Sequence, residues 1–358
     1  MIFLLLESSA SLMLSAFLVV LLRWLSAPLH LLDLPDHRKI HEGAVPLCGG
    51  IAIFLAFSVT SLFIVRPMDL GPGFWVALLL VVALGVADDR FALTARFRFL
   101  AQVVIVTGLI AAEGLGQISL GNFLPADAFG SAAVLLIISV AFVVGLVNAW
   151  NMVDGVDGLA GGSAAAALVW ILVLSFHAGA DGLVFPVATL LAAVGGFLLF
   201  NMRGPWRARA SVYLGDAGST ALGAIIAYLI LRLSNGADGL PFLCLLWLVI
   251  VPVIDTLSLM VRRLLDHRSP MSADRRHLHH LLIDSGFSPA ATSYIIVLVS
   301  FLCGGIGCLG VLLEVPAPVV AAGLLLAAIA HTAFVLSIEA ATQRRGLRAS
   351  HSSVKLQM

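Results

Sequence analysis

Apolar residues along this chain fall into long runs, and polar residues are concentrated in short segments between them. A helix needs about 20 apolar residues to cross a hydrocarbon core about 30 Å thick, and most of the runs approach that length. The pattern predicts an all-α integral membrane protein with about eleven transmembrane helices. The predicted spans cover residues 2–22, 47–65, 70–87, 99–112, 128–147, 160–176, 183–201, 217–233, 240–262, 290–313 and 319–339.

Basic residues are distributed unevenly over the segments between these spans. Of the 20 Lys and Arg residues, all but Arg66 and Arg232 lie in the segments of one side. Positively charged loops stay in the cytoplasm, so the amino terminus is predicted outside and the carboxy terminus in the cytoplasm. The run 2–22 has no basic segment before it and no cleavage site after it, which favours a retained span over a signal peptide.

Composition agrees with membrane insertion. Hydrophobic residues make up 61% of the 358 positions and charged residues 11%, against about 45–50% and about 25% in soluble domains. The formal net charge of zero gives no argument for nucleic-acid binding. The four cysteines lie in apolar runs without C-x-x-C spacing, so no redox role follows. We expect one polytopic domain over 1–358, with a cytoplasmic loop at 263–289 and a cytoplasmic tail at 340–358.

The most unusual stretch of the chain is a polar motif that follows the fifth predicted span. It contains Asn148, Asn151, Asp154 and Asp157, and acidic residues near membrane depth usually mark function. The first three are spaced three residues apart and share one helical face, whereas Asp157 can join them only if the helix breaks at the neighbouring glycines. The alternative is a polar seam that hydrogen-bonds to adjacent helices.

Two further acidic motifs lie on the same predicted side. Asp88 and Asp89 close the third span, where one carboxylate could contact a metal ion while its neighbour serves as a base. The alternative is a solvated pair with Arg90 as its counter-ion. Asp216 stands in a Gly-Asp-Ala-Gly-Ser segment, where glycines allow close ligand approach and a simple N-cap is the alternative. Asn201 and the arginines that follow it supply amide and cationic groups suited to phosphate.

A histidine-rich motif lies in the longest inner loop. His277, His279 and His280 follow Arg275 and other arginines, which favours anion binding over a zinc site because no further ligand pattern accompanies the histidines. A solvated loop is the alternative.

Two features leave more than one interpretation open. Lys39 and His41 in the first inner loop indicate a weaker anion-binding candidate. Asp255 lies about two turns inside the ninth span, next to the kink-capable Pro252. Buried charges usually have partners, and the partner of Asp255 is either catalytic or structural.

Together these motifs resemble the polyprenyl-phosphate N-acetylhexosamine-1-phosphate transferases of glycosyltransferase family 4, which start enterobacterial common antigen, teichoic acid and many O-antigen chains. The resemblance rests on D-x-P-x-x-R-K-x-H at 33–41, the aspartate pair at 88–89, N-x-x-N-x-x-D-G-x-D-G-L at 148–159, G-D-x-G-S at 215–219 and D-R-x-H-L-H-H at 274–280. Motif order and the predicted eleven-span topology are similar along essentially the whole chain.

The resemblance implies transfer of an N-acetylhexosamine 1-phosphate, with N-acetylglucosamine as first choice, from a UDP-sugar to undecaprenyl phosphate. Mg²⁺ or Mn²⁺ would be the cofactor, and the reaction would start cell-surface polysaccharide synthesis at the cytoplasmic face of the bacterial inner membrane. A homodimer is a further expectation. The implied roles are catalysis for Asp88, Asp89, Asp154 and Asp157, metal binding for Asp216 and Asp88, and substrate binding for Asn148, Asn151, Asn201, Arg275, His277, His279, His280, Lys39 and His41.

Three choices remain within and around this hypothesis. Direct attack by the lipid phosphate is favoured over a covalent aspartyl intermediate, because that phosphate is largely ionised without help; Asp88 then orients it or accepts a proton. The His-x-His-His form with Leu278 resembles the UDP-N-acetylglucosamine branch, with the muramoyl-pentapeptide branch as the alternative. A secondary transporter is the alternative from another class, but its polar groups should gather near the midplane in related repeats.

Overall fold

The computed structural model describes residues 2–33, 43–64, 70–120, 132–205, 207–236, 238–269 and 276–355. Helices dominate this part of the chain, and its strands form one two-residue antiparallel pair, β1 (Leu32–Asp33) with β2 (Val45–Pro46). The helices are α1 (Ile2–Leu25), α2 (Gly49–Phe63), α3 (Pro72–Phe91), α4 (Ala95–Glu113), α5 (Ala132–Val153), α6 (Leu159–His177), α7 (Asp181–Asn201), α8 (Gly215–Ser234), α9 (Phe242–Leu246), α10 (Ile250–Leu265), α11 (Leu278–Asp284), α12 (Pro289–Leu312) and α13 (Ala317–Lys355). The predicted all-α membrane class is confirmed.

A helix occupies each of the predicted spans. In the described part of the chain, nine helical segments are long and apolar enough to cross a membrane, namely α1, α4, α5, α6, α7, α8, α9 with α10, α12 and α13. Helix α2 is shorter, at 15 residues, and the apolar run of α3 ends before its aspartate pair. The count of eleven membrane spans therefore stays a prediction. Helix α13 continues through most of the predicted tail, and α11 lies inside the predicted loop at 263–289.

Helix α8 lies at the centre of the bundle and is buried along nearly its whole length. Small residues let its neighbours approach closely, as is usual for helix packing in membranes. A Cβ atom at Gly50 of α2 would overlap the backbone of Gly218, and one at Gly85 of α3 would overlap the backbone of Ala217. The start of α2 and the last two turns of α3 therefore touch the first turn of α8.

Helices α3, α4 and α8 bring polar groups together at both of their ends. Only residues 92–94 connect α3 to α4, so the first turn of α4 returns to the end of α3. At the opposite end, the Glu113 carboxylate accepts a hydrogen bond from the backbone N–H of Phe74 at 3.1 Å. It also accepts one from the Tyr228 hydroxyl at 3.4 Å and lies 3.9 Å from the Arg232 guanidinium. The Glu113 carboxylate thus has three protein partners.

Candidate active site

Asp88, Arg98 and Asp216 form the centre of an acidic cluster where α3 ends and where α4 and α8 begin. Asp88 accepts a hydrogen bond from the backbone N–H of Leu93 at 2.8 Å through Oδ1, and its Oδ2 forms an ion pair with Arg98. The same Arg98 nitrogen lies 3.7 Å from Asp216 Oδ2. The Asp88 side chain is 6% exposed and the Asp216 side chain 34% exposed, so the cluster opens to ligands on the Asp216 side.

Asp89 has a different role from its neighbour. Its two carboxylate oxygens accept hydrogen bonds from the backbone N–H groups of Asp216 at 2.8 Å and Ala217 at 3.1 Å. These are first-turn donors of α8, which have no partner within the helix. Asp89 therefore caps α8 from α3, and it holds Asp216 in position through the main chain. The alternative in which Asp216 caps α8 is wrong, because the N-cap position is Leu214 and no side chain of α8 caps the helix.

Asp89 lies close to other carboxyl groups. Burial and the adjacent Asp216 carboxylate raise the pKa of Asp89 to about 7, although the two backbone hydrogen bonds act in the opposite direction. A raised carboxyl pKa means that the ionised form is disfavoured. A cation bound in the cluster would relieve this cost.

Helix α5 contributes Asn151 and Asp154 from a third direction. The Asn151 amide donates to Asp216 Oδ1 at 2.6 Å and to the Ser219 hydroxyl at 3.0 Å. Burial and three neighbouring carboxylates, Asp216 foremost, raise the pKa of Asp154 well above its usual value. Among the described residues, no protein group donates a hydrogen bond to the Asp154 carboxylate. Asn151 thus orients Asp216, and Asp154 adds a carboxyl group that has no hydrogen-bond donor among the described residues.

The helix breaks at the glycines, as the sequence requires if Asp157 is to share a site with Asn148, Asn151 and Asp154. Helix α5 ends at Val153 and α6 begins at Leu159, and Gly158 takes a left-handed conformation with φ +79°. The Gly158 N–H donates to Asn201 Oδ1 at 2.7 Å, and the Asn201 amide donates to the Val212 carbonyl at 2.9 Å. Asn201 therefore holds the break in place. Its predicted contact with substrate stays a prediction.

Asp157 and Asn148 make their side-chain contacts with groups other than Asp88 and Asp216. Asp157 Oδ2 pairs with Arg203 Nε at 2.6 Å and accepts a hydrogen bond from the Ala210 N–H at 3.0 Å, which ties the break to the loop before α8. The Asn148 amide donates to Gln102 of α4 at 2.7 Å, so the polar-seam alternative describes this residue. Their predicted catalytic and substrate-binding roles stay predictions.

The histidine motif lies against the helix break. His277 precedes the first residue of α11, and its ring stacks on that of His279 at a centroid distance of 5.6 Å, with His280 at 4.2 Å from His279. A Cβ atom at Gly155 would overlap the His279 ring. Glycine at 155 therefore allows His279 to approach the turn that contains Asp154.

The donor set suits a hard divalent cation. In the described residues, no three His, Cys, Asp or Glu side chains converge as a metal-binding group. Asp88 and Asp216 nevertheless approach the same Arg98 nitrogen and offer carboxylate oxygens. Mg²⁺ is usually held by one or two carboxylates, several waters and substrate phosphates. The two carboxylates are thus the part of such a site that the protein would supply.

Some predicted residues and some contributing residues need separate mention. Lys39, His41 and Arg275 lie outside the described residues. Arg90 was the predicted counter-ion of the aspartate pair, but Arg98 takes that position and Arg90 instead lies over the Phe91 ring at 5.3 Å. Short α3–α4 spacing could have indicated Arg98, since it places the first turn of α4 beside the end of α3.

Comparison with known proteins places this site in a family context. The model of glycosyl transferase family 4 matches residues 72–234. The undecaprenyl-phosphate alpha-N-acetylglucosaminyl 1-phosphate transferase of Yersinia pestis is 33% identical over 304 residues, covering 82% of this chain and 80% of the relative. The enzyme of the same name from Escherichia coli K12 is 30% identical over 285 residues, covering 78% and 76%. The one from Haemophilus influenzae is 33% identical over 306 residues, covering 83% and 84%.

Proposed function

The chain belongs to glycosyl transferase family 4, and from that premise we propose that it transfers N-acetylglucosamine 1-phosphate from UDP-N-acetylglucosamine to undecaprenyl phosphate. An oxygen of the lipid phosphate attacks the phosphorus that carries the sugar. The bond from that phosphorus to the bridging diphosphate oxygen breaks, and UMP leaves with the bridging oxygen. The product is undecaprenyl-diphosphate-N-acetylglucosamine, with which cell-surface polysaccharide synthesis would start.

The observation that carries this proposal is that, among the described residues, carboxyl groups outnumber the guanidinium groups around Arg98. Asp88 and Asp216 both face that guanidinium, and Asp89 and Asp154 crowd the same region. Such a cluster is unfavourable in the absence of ligands, but it is suited to a reaction in which phosphates and a divalent cation bind at the same site. Asp88 and Asp216 would hold Mg²⁺ or Mn²⁺. When bound, the ion supplies charge neutralisation on the donor diphosphate.

Other side chains of the site bind, position or stabilise the reacting groups. Arg98 binds phosphate oxygens once its carboxylate partners are engaged elsewhere, because a guanidinium matches phosphate geometry. Asn151 and Asp89 keep Asp216 in position. Asp88 orients the lipid phosphate, which attacks directly. The histidine motif contacts the donor diphosphate, and its hydrogen-bond donors stabilise charge on the departing UMP.

Donor choice rests on the relatives and on Leu278. The relatives are named for N-acetylglucosaminyl 1-phosphate transfer, and Leu278 interrupts the histidine run that the muramoyl-pentapeptide branch has. Family membership also goes against a secondary transporter. The chain is a multi-pass membrane protein; an outer amino terminus, a cytoplasmic active site in the bacterial inner membrane and a homodimer complete the proposal.

UMP release tests the proposal. Protein purified in detergent is incubated with Mg²⁺, undecaprenyl phosphate and one donor at a time, including UDP-N-acetylglucosamine, UDP-N-acetylgalactosamine and the muramoyl-pentapeptide donor. We expect release with UDP-N-acetylglucosamine and only in the presence of the lipid. Folded protein that releases no UMP with any donor would exclude the proposed function. A stoichiometric burst of UMP without lipid would replace direct attack by a covalent intermediate.

A further inference from the structure

One buried carboxylate, that of Asp255, contacts the start of the histidine motif. Asp255 of α10 is 2% exposed. Its Oδ2 lies 2.8 Å from His277 Nδ1, and its Oδ1 accepts the backbone N–H of Leu278 at 3.0 Å. Both contacts cross from α10 to the start of α11, so Asp255 binds the ring of His277 and the main chain of Leu278.

These two contacts determine how the ring is presented. An ionised carboxylate can only accept, so His277 carries its hydrogen on Nδ1 and Nε2 is the ring nitrogen left for a ligand. Leu278 is the first residue of α11, and His277 at the N-cap position gives the helix no side-chain cap. Asp255 supplies that cap from another helix. The position of His279 and His280 depends on the same helix start.

Residues of α13 take part in the same set of contacts. His331 Nε2 lies 3.5 Å from Asp255 Oδ1. Arg262, two helical turns beyond Asp255 on α10, donates to the carbonyl of Arg276 at 2.9 Å and forms an ion pair with Glu339. Residues 276–278 are therefore held at three consecutive points by Arg262 and Asp255 of α10.

We propose that Asp255 is a positioning residue for the donor diphosphate. It fixes the tautomer and direction of His277 so that Nε2 meets a donor phosphate oxygen, and it sets the start of α11 so that His279 and His280 border the same ligand. This inference rests on the proposed function. It assigns Asp255 to binding of the nucleotide-sugar and not to binding of the lipid acceptor.

Asp255→Asn separates positioning from general destabilisation. Asparagine keeps the size and can still accept from Leu278, but its amide nitrogen would face His277 Nδ1 and reverse that hydrogen bond. We expect the KM for UDP-N-acetylglucosamine to rise by about 10- to 100-fold, by analogy with the loss of a carboxylate that orients a metal-bound histidine. The KM for undecaprenyl phosphate should stay within about twofold of wild type. Thr256→Val, at the buried neighbour of Asp255, is the matched control and should change neither constant.

A double-mutant cycle identifies the residue through which Asp255 acts. If it works through His277, Asp255→Asn should add little to His277→Ala, because the ring it orients is already gone. Additive effects would overturn the inference, as would an unchanged donor KM in Asp255→Asn. If that variant does not fold, Asp255→Glu keeps the charge but displaces the ring, and a donor KM equal to that of wild type would overturn the inference equally.

Ligand binding keeps this test apart from the proposed function. The dissociation constant for UDP-N-acetylglucosamine is measured by calorimetry on wild type and Asp255→Asn. Wild-type protein that binds the nucleotide-sugar without releasing UMP would contradict the proposed function alone. Equal dissociation constants for the two proteins would contradict the role of Asp255 alone.

Discussion

The two ends of α3, α4 and α8 both join acidic residues to an arginine, yet they differ in charge balance. At one end the Glu113 carboxylate is satisfied by protein partners, namely Phe74 N–H, Tyr228 and Arg232. At the other end Asp88 and Asp216 lie within ion-pair distance of the same guanidinium, that of Arg98. The carboxyl groups of Asp89 and Asp154 lie close to Asp216 as well.

This difference separates a structural polar group from a functional one. A buried charge whose partners are complete joins helices and has no capacity left for a ligand. Carboxylates that outnumber their protein partners destabilise the protein in the absence of ligand. Their presence therefore indicates that a cation or a substrate group binds to them. We therefore expect substitutions at the two ends to affect different quantities, catalysis at the acidic cluster and stability at Glu113.

The largest effect is expected at Asp88. Asp88→Asn removes the carboxylate that faces both Arg98 and the proposed cation, and UMP release should fall by about 100- to 1,000-fold, as is typical when a group that stabilises transition-state charge is lost. Steady-state UMP release checks this, with thermal unfolding in detergent as the control. Activity above half of wild type in a folded Asp88→Asn protein would show that this end is not the reacting site.

An intermediate effect is expected at Arg98. Arg98→Ala leaves Asp88 and Asp216 without their cation and removes a phosphate ligand, a loss of about 2 kcal/mol or about 30-fold in kcat/KM. Arg98→Lys should recover part of this, because a point charge remains but the planar guanidinium does not. The same pair of changes at Arg232 serves as the comparison. If alanine at Arg232 lowered kcat/KM as much as alanine at Arg98, the distinction between the two ends would fail.

The smallest effect on activity is expected at Glu113. Glu113→Gln keeps a hydrogen-bond acceptor for Phe74 but loses the charge beside Arg232, so UMP release should stay within about twofold. The free energy of unfolding should fall by about 1–3 kcal/mol, because Arg232 and Tyr228 lose a charged partner. Thermal unfolding in detergent measures this loss. An inactive but stable Glu113→Gln protein would reverse the assignment of the two ends.

Apolar periodicity predicted most of the fold, because a bilayer leaves few alternatives to helices of a certain length. It predicted a helix at each of the eleven positions, and the glycines at 155 and 158 indicated where the helix could break after Val153. It could not predict that α13 continues past the predicted tail boundary. That boundary was set by loss of hydropathy, and a helix can continue after its residues become polar.

The sequence predicted the acidic residues of the candidate site, but it did not predict the separate role of each one. Asp88 and Asp89 are adjacent in sequence, and only the packing of α3 on α8 shows that one faces Arg98 while the other caps α8. The partner of Asp255 was likewise open, because His277 lies 22 residues further along the chain. Such pairings are long-range, and no local pattern encodes them.

The most direct test of the acidic cluster is the Mg²⁺ dependence of UMP release in wild type, Asp216→Asn and Glu113→Gln, measured in parallel after treatment with a chelator. We predict that wild type and Glu113→Gln lose activity with the chelator and regain it at the same Mg²⁺ concentration. Asp216→Asn should stay at least about 100-fold below them at saturating Mg²⁺. Full activity of a folded Asp216→Asn protein at the wild-type Mg²⁺ concentration would contradict the assignment of catalysis to this end of the bundle.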